Sequence, residues 1–168
     1  LLRVQNRSSI TAMEITCLDL EGVLVPETWI SFAEKTGIEE FRATTKDIPD
    51  YDVLMQHRLG LLDQHGLSLR DIQQFNATMA PIPGAVEFIN WLKKCFQVVI
   101  LSDTFYEFSQ PLMAQLGFPT LLCHRLIADD SGRIVDYKLR QKDPKRQAVK
   151  AFHSLNFRVI AAGDSYND

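Results

Sequence analysis

Asp19 and Glu21 place two carboxylates on alternate residues at the end of an apolar run, within the stretch CLDLEGVL (residues 17–24). If the strand period continues through them, both acids turn to one side. There they can gather around a cation or a reacting phosphate. Two later apolar runs also end in polar residues: Ser102 with Asp103, and Gly163 with Asp164. Lys145, near the start of a helical pattern, can return to the same rim. A single strand ending in aspartate is most simply a turn or a helix cap. Three such ends and a lysine favour a shared site.

Phosphate monoester chemistry suits that set. It needs a nucleophile, an acid for the leaving alkoxide, and neutralisation of the phosphoryl oxygens. Asp19 is the expected nucleophile, because a carboxylate can form an aspartyl phosphate. Two anions repel, so a divalent cation belongs between them, and the hard oxygens of Asp19 and Asp164 suit Mg2+. The Glu21 backbone carbonyl can add to that ligand set. The Glu21 side chain is the expected general acid and base; its free pKa of about 4.3 is too low for an acid at neutral pH, and burial beside a phosphate should raise it. Ser102 can donate its hydroxyl to a phosphoryl oxygen, and Asp103 beside it is grouped with the phosphate-binding residues. Lys145 offers a point charge to both phosphate and Asp19.

The elements that must position these groups follow from pattern. The chain has 168 residues, 46% hydrophobic and 23% charged, with a net charge of −3. That is globular composition and argues against a general nucleic-acid binder. No apolar run approaches the roughly 18 residues of a membrane span. Residues 1–12 read as a disordered leader rather than a signal peptide, and the last strand-like run lacks a covering helix, so a truncated C-terminus is expected. Cys17, Cys95 and Cys123 are odd in number and lie in apolar runs; they read as reduced core thiols of a cytoplasmic protein. The four histidines show no zinc spacing with them.

Glu14 to Asp19 is the first strand candidate. Helical patterns follow at 28–37, 49–66 and 68–79, the last opened by Ser68 and Asp71 as a capping box. PIPG (81–84) is a break. Thereafter helices at 85–95, 105–117 and 143–155 alternate with strands at 96–103, 119–127 and 157–164, with a hairpin excursion at 128–139. The expected fold is α/β: a doubly wound, Rossmann-like parallel sheet (13–27 and 81–168) with a helical cap (28–80) inserted after the first strand.

The order Asp19 with Glu21, then ILSD at Ser102, then Lys145, then GDSYND resembles the four-motif signature of the haloacid dehalogenase superfamily, over residues 13 to 168. DLEGVLVPE, RQKDPKR and AAGDSYND resemble its phosphoserine phosphatase branch, in particular the bifunctional phosphoserine phosphatase/homoserine phosphotransferase group. Most of the superfamily carries Asp two residues after the nucleophile; that group, like this chain, carries Glu. The resemblance implies Mg2+, an aspartyl-phosphate intermediate and a cap that closes over the substrate; the hinges of that motion are expected at 25–28 and 81–84. It implies a small phosphorylated amino acid as substrate, with Glu27 near its ammonium and Arg58 near its carboxylate. It also implies that Asn167 positions phosphate or nucleophile and that Asp168 supports the metal, so the expected metal set is Asp19, Glu21, Asp164 and Asp168. No nucleic acid or membrane partner is implied, and a homodimer is left open. Three other readings compete. They are a phosphatase of another small phosphomonoester, a receiver-type module phosphorylated on aspartate without turnover, and a non-catalytic remnant. The cap and Glu21 argue against the receiver, which needs neither.

Overall fold

In the computed structural model, residues 13–164 are described. The expected leader (1–12) and the positions of Asn167 and Asp168 lie outside the described residues. Five strands form one sheet in the order β4-β3-β2-β1-β5. They are β1 (Glu14–Leu18), β2 (Gln97–Phe105), β3 (Thr120–Ala128), β4 (Ile134–Lys138) and β5 (Arg158–Ala162). All neighbours are parallel except β3 and β4, which form the expected antiparallel excursion. β1 lies inside the sheet between β2 and β5, and its residues Ile15 to Leu18 are buried, which is why it reads as an unbroken apolar run.

Helices cover both faces. α4 (Ala85–Cys95) turns Ala85, Ile89 and Leu92 inward at helical spacing, and α5 (Tyr106–Gln115) joins it over Leu18 and Ile100. Each fully buried Leu or Ile in this layer contributes about 1.5–3 kcal/mol. α6 (Pro144–Ser154), with proline in its first turn, packs Ala148 against Ile15, Cys17 and Val99 on the opposite face. From β1 the chain steps outward through β2 to β3, then returns to the far flank of β1 as β5. That reversal of strand order creates a crevice at the carboxyl ends of β1, β2 and β5.

Three helices lie between β1 and α4: α1 (Thr28–Thr36), α2 (Tyr51–Gln64) and α3 (Leu69–Thr78). Gly37 closes α1 at φ 73°, and Ser68 with Asp71 forms the anticipated capping box of α3. A 3-10 turn at Glu39–Arg42, without a sequence signal, sets Phe41 beneath Trp29 with stacked rings 5.6 Å apart. This helical layer shares its core with Phe105 and Phe108 of the sheet layer. One sequence feature explains part of the docking. Pro111 cannot donate to the Glu107 carbonyl one turn earlier, and the Gln73 side chain of α3 donates to it at 2.7 Å. Asn76, fully buried, donates to the Phe108 carbonyl at 2.8 Å. The two connections between the layers run side by side, with the Ile82 N–H donating to the Leu24 carbonyl at 2.9 Å. The β3–β4 hairpin reaches α2 through Tyr137, whose hydroxyl bonds the Asp52 carboxylate.

One expectation needs correction. Cys17 and Cys123 are buried, but Cys95 is exposed, because it ends α4 on the helix's outer side. Burial pushes the Cys17 thiol up to about 11 and the Cys123 thiol up to about 12.

Candidate active site

The crevice opens into a cavity of about 640 Å³ between sheet and helical layer, bordered by Asp19, Glu21, Ser102, Asp103, Lys145 and Asp164. The same cavity is bordered from the cap by Glu27 and Arg58. Every described candidate from the sequence therefore faces one space.

Asp19 follows β1 directly and is anchored by its N–H to the Ala162 carbonyl of β5 at 3.0 Å. Its Oδ2 accepts from Lys145 Nζ at 2.6 Å, and its Oδ1 accepts from the Leu20 N–H at 2.6 Å. Both side chains are about one-tenth exposed. Lys145 is therefore no solvated lysine of a charged helix end. A carboxylate so held keeps one edge toward the cavity and cannot swing away.

Glu21 lies deeper, under α1. Its carboxylate accepts from the Thr28 N–H at 3.1 Å, so it caps the helix that Glu27 precedes. Glu27 itself makes no side-chain cap and remains exposed. Burial, reinforced by the neighbouring Glu27 charge, raises the Glu21 pKa to about 7 against the opposing pull of the Thr28 N–H. An acid poised there can both give and take a proton near neutrality.

Ser102 and Asp103 owe their position to a break in the ladder. Leu101 pairs with Leu122 and Phe105 with His124, so three residues of β2 stand opposite the single Cys123. This bulge lifts Ser102–Thr104 toward the cavity. Ser102 is buried, and its Oγ accepts from the Thr104 N–H at 3.3 Å.

Asp164 reaches the site over Gly22. A Cβ on Gly22 would lie 2.2 Å from Asp164 Oδ2, and Gly22 also holds φ +75°. Only glycine lets the two strand ends approach so closely. Asp19 and Asp164 thus offer hard carboxylate oxygens on one wall, and no His or Cys borders this cavity. Among the described residues no group of three or more His, Cys, Asp or Glu is placed to hold a metal. Two carboxylates with room for water and phosphate oxygens fit a small hard cation better than a protein cage would.

Comparison with known proteins agrees with this geometry. The family model described as haloacid dehalogenase-like hydrolase matches residues 22–168. The chain belongs to the haloacid dehalogenase-like hydrolases. Among curated relatives, the phosphoserine phosphatase of Pseudomonas syringae pv. tomato is 74% identical over 98% of this chain and 70% of that protein. Phosphoserine phosphatase ThrH of Pseudomonas aeruginosa is 74% identical over 93% of this chain and 76% of that protein. A solved structure of apo phosphoserine phosphatase shares the fold with TM-score 0.73 at 23% identity, over 93% of this chain and 80% of that one. A phospho-aspartyl intermediate analogue of phosphoserine phosphatase gives TM-score 0.74 at 21% identity, over 94% and 80%.

Within this haloacid dehalogenase-like site, Arg58 differs from a solvated face residue. It is 8% exposed, stacks over Trp29 at 4.6 Å and donates to the Ala43 carbonyl at 2.9 Å. Met55 packs beside it, fully buried. Burial lowers its pKa, against the opposing pull of Tyr51, Glu21 and Glu27. Two residues at the site carried no sequence signal. Tyr51 donates to the Asp103 carbonyl at 3.1 Å, and His124 faces the Asp103 carboxylate. His124 stands in a strand whose alternation marks it only as inward-facing.

Proposed function

We propose that this chain is a Mg2+-dependent phosphatase for phosphoserine that works through an aspartyl phosphate on Asp19. The observation that carries the reading is the Asp19 carboxylate, fixed by Lys145 at 2.6 Å on the wall of a half-enclosed cavity that also contains a carboxyl titrating near neutrality. Curated relatives 74% identical are phosphoserine phosphatases by name, which supports the same substrate.

Asp19 attacks phosphorus in line with the serine oxygen, and Lys145 keeps the attacking oxygen oriented. Glu21 gives its proton to the departing alkoxide, then takes one from the water that cleaves the acyl phosphate. The Ser102 hydroxyl serves a phosphoryl oxygen. Asp103 contributes through backbone, since its carboxylate would repel them. The carboxylates of Asp19 and Asp164 would hold the Mg2+, and the Glu21 backbone carbonyl would complete the described residues' share. Bound there, the metal would offset negative charge on the phosphate and the two acids.

Gly22→Ala tests the metal wall. The new methyl displaces the Asp164 carboxylate, so the Mg2+ concentration for half-maximal activity should rise at least about tenfold, the scale of a lost metal-supporting contact. The strained φ should also lower the thermal midpoint by a few degrees, about 1 kcal/mol. Unchanged Mg2+ dependence would detach Asp164 from the metal.

Arg58 and Glu27 read the substrate's carboxylate and ammonium. A buried guanidinium bordering the cavity can meet the ligand's carboxylate with both oxygens of its planar fork. Arg58→Met keeps bulk against Trp29 and removes the charge. The KM for phosphoserine should rise about 10–100-fold, the scale of a charged hydrogen bond, while hydrolysis of an aryl phosphate holds. Equal losses on both substrates would remove the amino-acid reader. The direct test of the whole reading is release of phosphate from phosphoserine with and without Mg2+, beside transfer to homoserine. Turnover without release of phosphate to water would favour the transferase, for which Glu21 in place of the usual Asp is the specific feature. No turnover on phosphoserine with retained activity on other monoesters would move the substrate class.

A further inference from the structure

His124 is 3% exposed and sits on β3 beside the β2 bulge. Its Nδ1 accepts the backbone N–H of Arg140 at 3.1 Å, which leaves Nε2 as the hydrogen-bearing nitrogen of the neutral ring. Nε2 lies 3.4 Å from Asp103 Oδ1. Phe105 and Tyr51 flank the ring at 6.1 and 6.3 Å between centroids. One imidazole therefore touches both the bulge that carries Ser102 and the loop that leads from Arg140 to Lys145.

We propose that His124 is a positioning residue of the phosphate seat, holding the Asp103 carboxylate toward β3 and out of the space the phosphoryl oxygens need. The inference rests on the phosphatase reading of the cavity. Asp103 follows Ser102 directly, its side chain is 35% exposed and it borders the same cavity. A carboxylate loose at that position would add a negative charge beside a phosphate in a partly dehydrated space. Tyr51 fixes the Asp103 carbonyl but leaves the carboxylate to His124.

Binding of inorganic phosphate, measured calorimetrically with Mg2+ present, tests this without requiring turnover. His124→Phe keeps the ring packing and loses both nitrogen contacts; phosphate affinity should fall tenfold or more. Adding Asp103→Asn to that variant should regain most of the loss, because the displaced group is then uncharged. His124→Gln places an amide donor toward Asp103 and should bind phosphate within about threefold of the parent. His124→Asn restores only the acceptor for Arg140 and should resemble His124→Phe. If His124→Phe does not fold, the Gln and Asn variants carry the comparison. A loss that Asp103→Asn does not relieve, or equal affinities for the Gln and Asn variants, would reduce His124 to a packing residue. Failure of the parent protein to hydrolyse phosphoserine would instead sink the functional reading, and the phosphate titrations would still decide the role of His124.

Discussion

Replacing Asp19 with asparagine should lower phosphate release from phosphoserine by about 10⁴-fold or more, the scale seen when a nucleophilic group is removed from otherwise intact machinery. An amide oxygen cannot form the acyl phosphate. The substitution also disturbs two close bonds. Oδ1 accepts from the Leu20 N–H and Oδ2 from Lys145, both at 2.6 Å, and a carboxamide can accept at only one of these places. The donor left facing an NH2 group costs about 1–3 kcal/mol. For a chain of this size that is a fall of a few to about 10 °C in thermal midpoint. Activity should therefore be assayed well below the transition, with folding checked by circular dichroism. A folded Asn variant that turns over at the parental rate would place the nucleophile elsewhere and end the aspartyl-phosphate reading. A residual rate near 10⁻⁴ of the parent, with phosphate binding retained, is the expected result.

The parts of this site that could be read from sequence are those in which chemistry and chain order coincide. Asp19 and Glu21 close a buried strand, and Gly22 follows because Asp164 must lie against it. Lys145 comes just after a helix-opening proline, so its place on the rim follows from the α/β alternation. What could not be read depends on contacts between distant segments. The β2 pattern looks like a strand ending at Asp103, yet the strand resumes at Thr104 because Phe105 finds His124 across the ladder. The extra residues of the bulge are set by register with β3, and no local preference of Ser, Asp or Thr announces them. Arg58 entered the expected site through the resemblance alone, because its burial depends on Trp29 and the Ala43 carbonyl, which no local pattern in its own helix announces. Cys95 shows the converse. An apolar neighbourhood in sequence does not choose which side of a helix a residue occupies. The helical layer was legible as an insertion, but its docking was not. That rests in part on Gln73 and Asn76 reaching the Glu107 and Phe108 carbonyls of a helix more than thirty residues away, the first of them freed by Pro111.

Glu21→Gln carries the second large effect, and its two consequences have opposite sign. Loss of the proton donor and acceptor should lower kcat by about 10²–10⁴-fold. In the parent, Glu21 titrates near 7 because burial and Glu27 disfavour its charge. The kcat/KM for phosphoserine should therefore fall about tenfold per pH unit above that value, as the free enzyme loses its acid. The Gln variant should show no such limb. Stability moves the other way. The folded pKa stands above the ordinary value of 4.5, so between about 4.5 and 7 the native state binds more protons than the unfolded chain. Rising pH across that window removes stability, and the full penalty is present above about 7. A shift of this size corresponds to at most about 3 kcal/mol. Glutamine still accepts from the Thr28 N–H but carries no charge. In metal-free buffer the Gln variant should therefore melt higher than the parent at pH 8 and no higher at pH 4. Thermal midpoints across pH 4–8 for both proteins check this directly. Parallel curves would mean that Glu21 keeps its ordinary pKa in the fold; ionised at neutral pH, it would then be a helix cap with no acid to give. An inactive variant more stable than its parent at alkaline pH would show instead that Glu21 is retained for the chemistry at a cost to the fold.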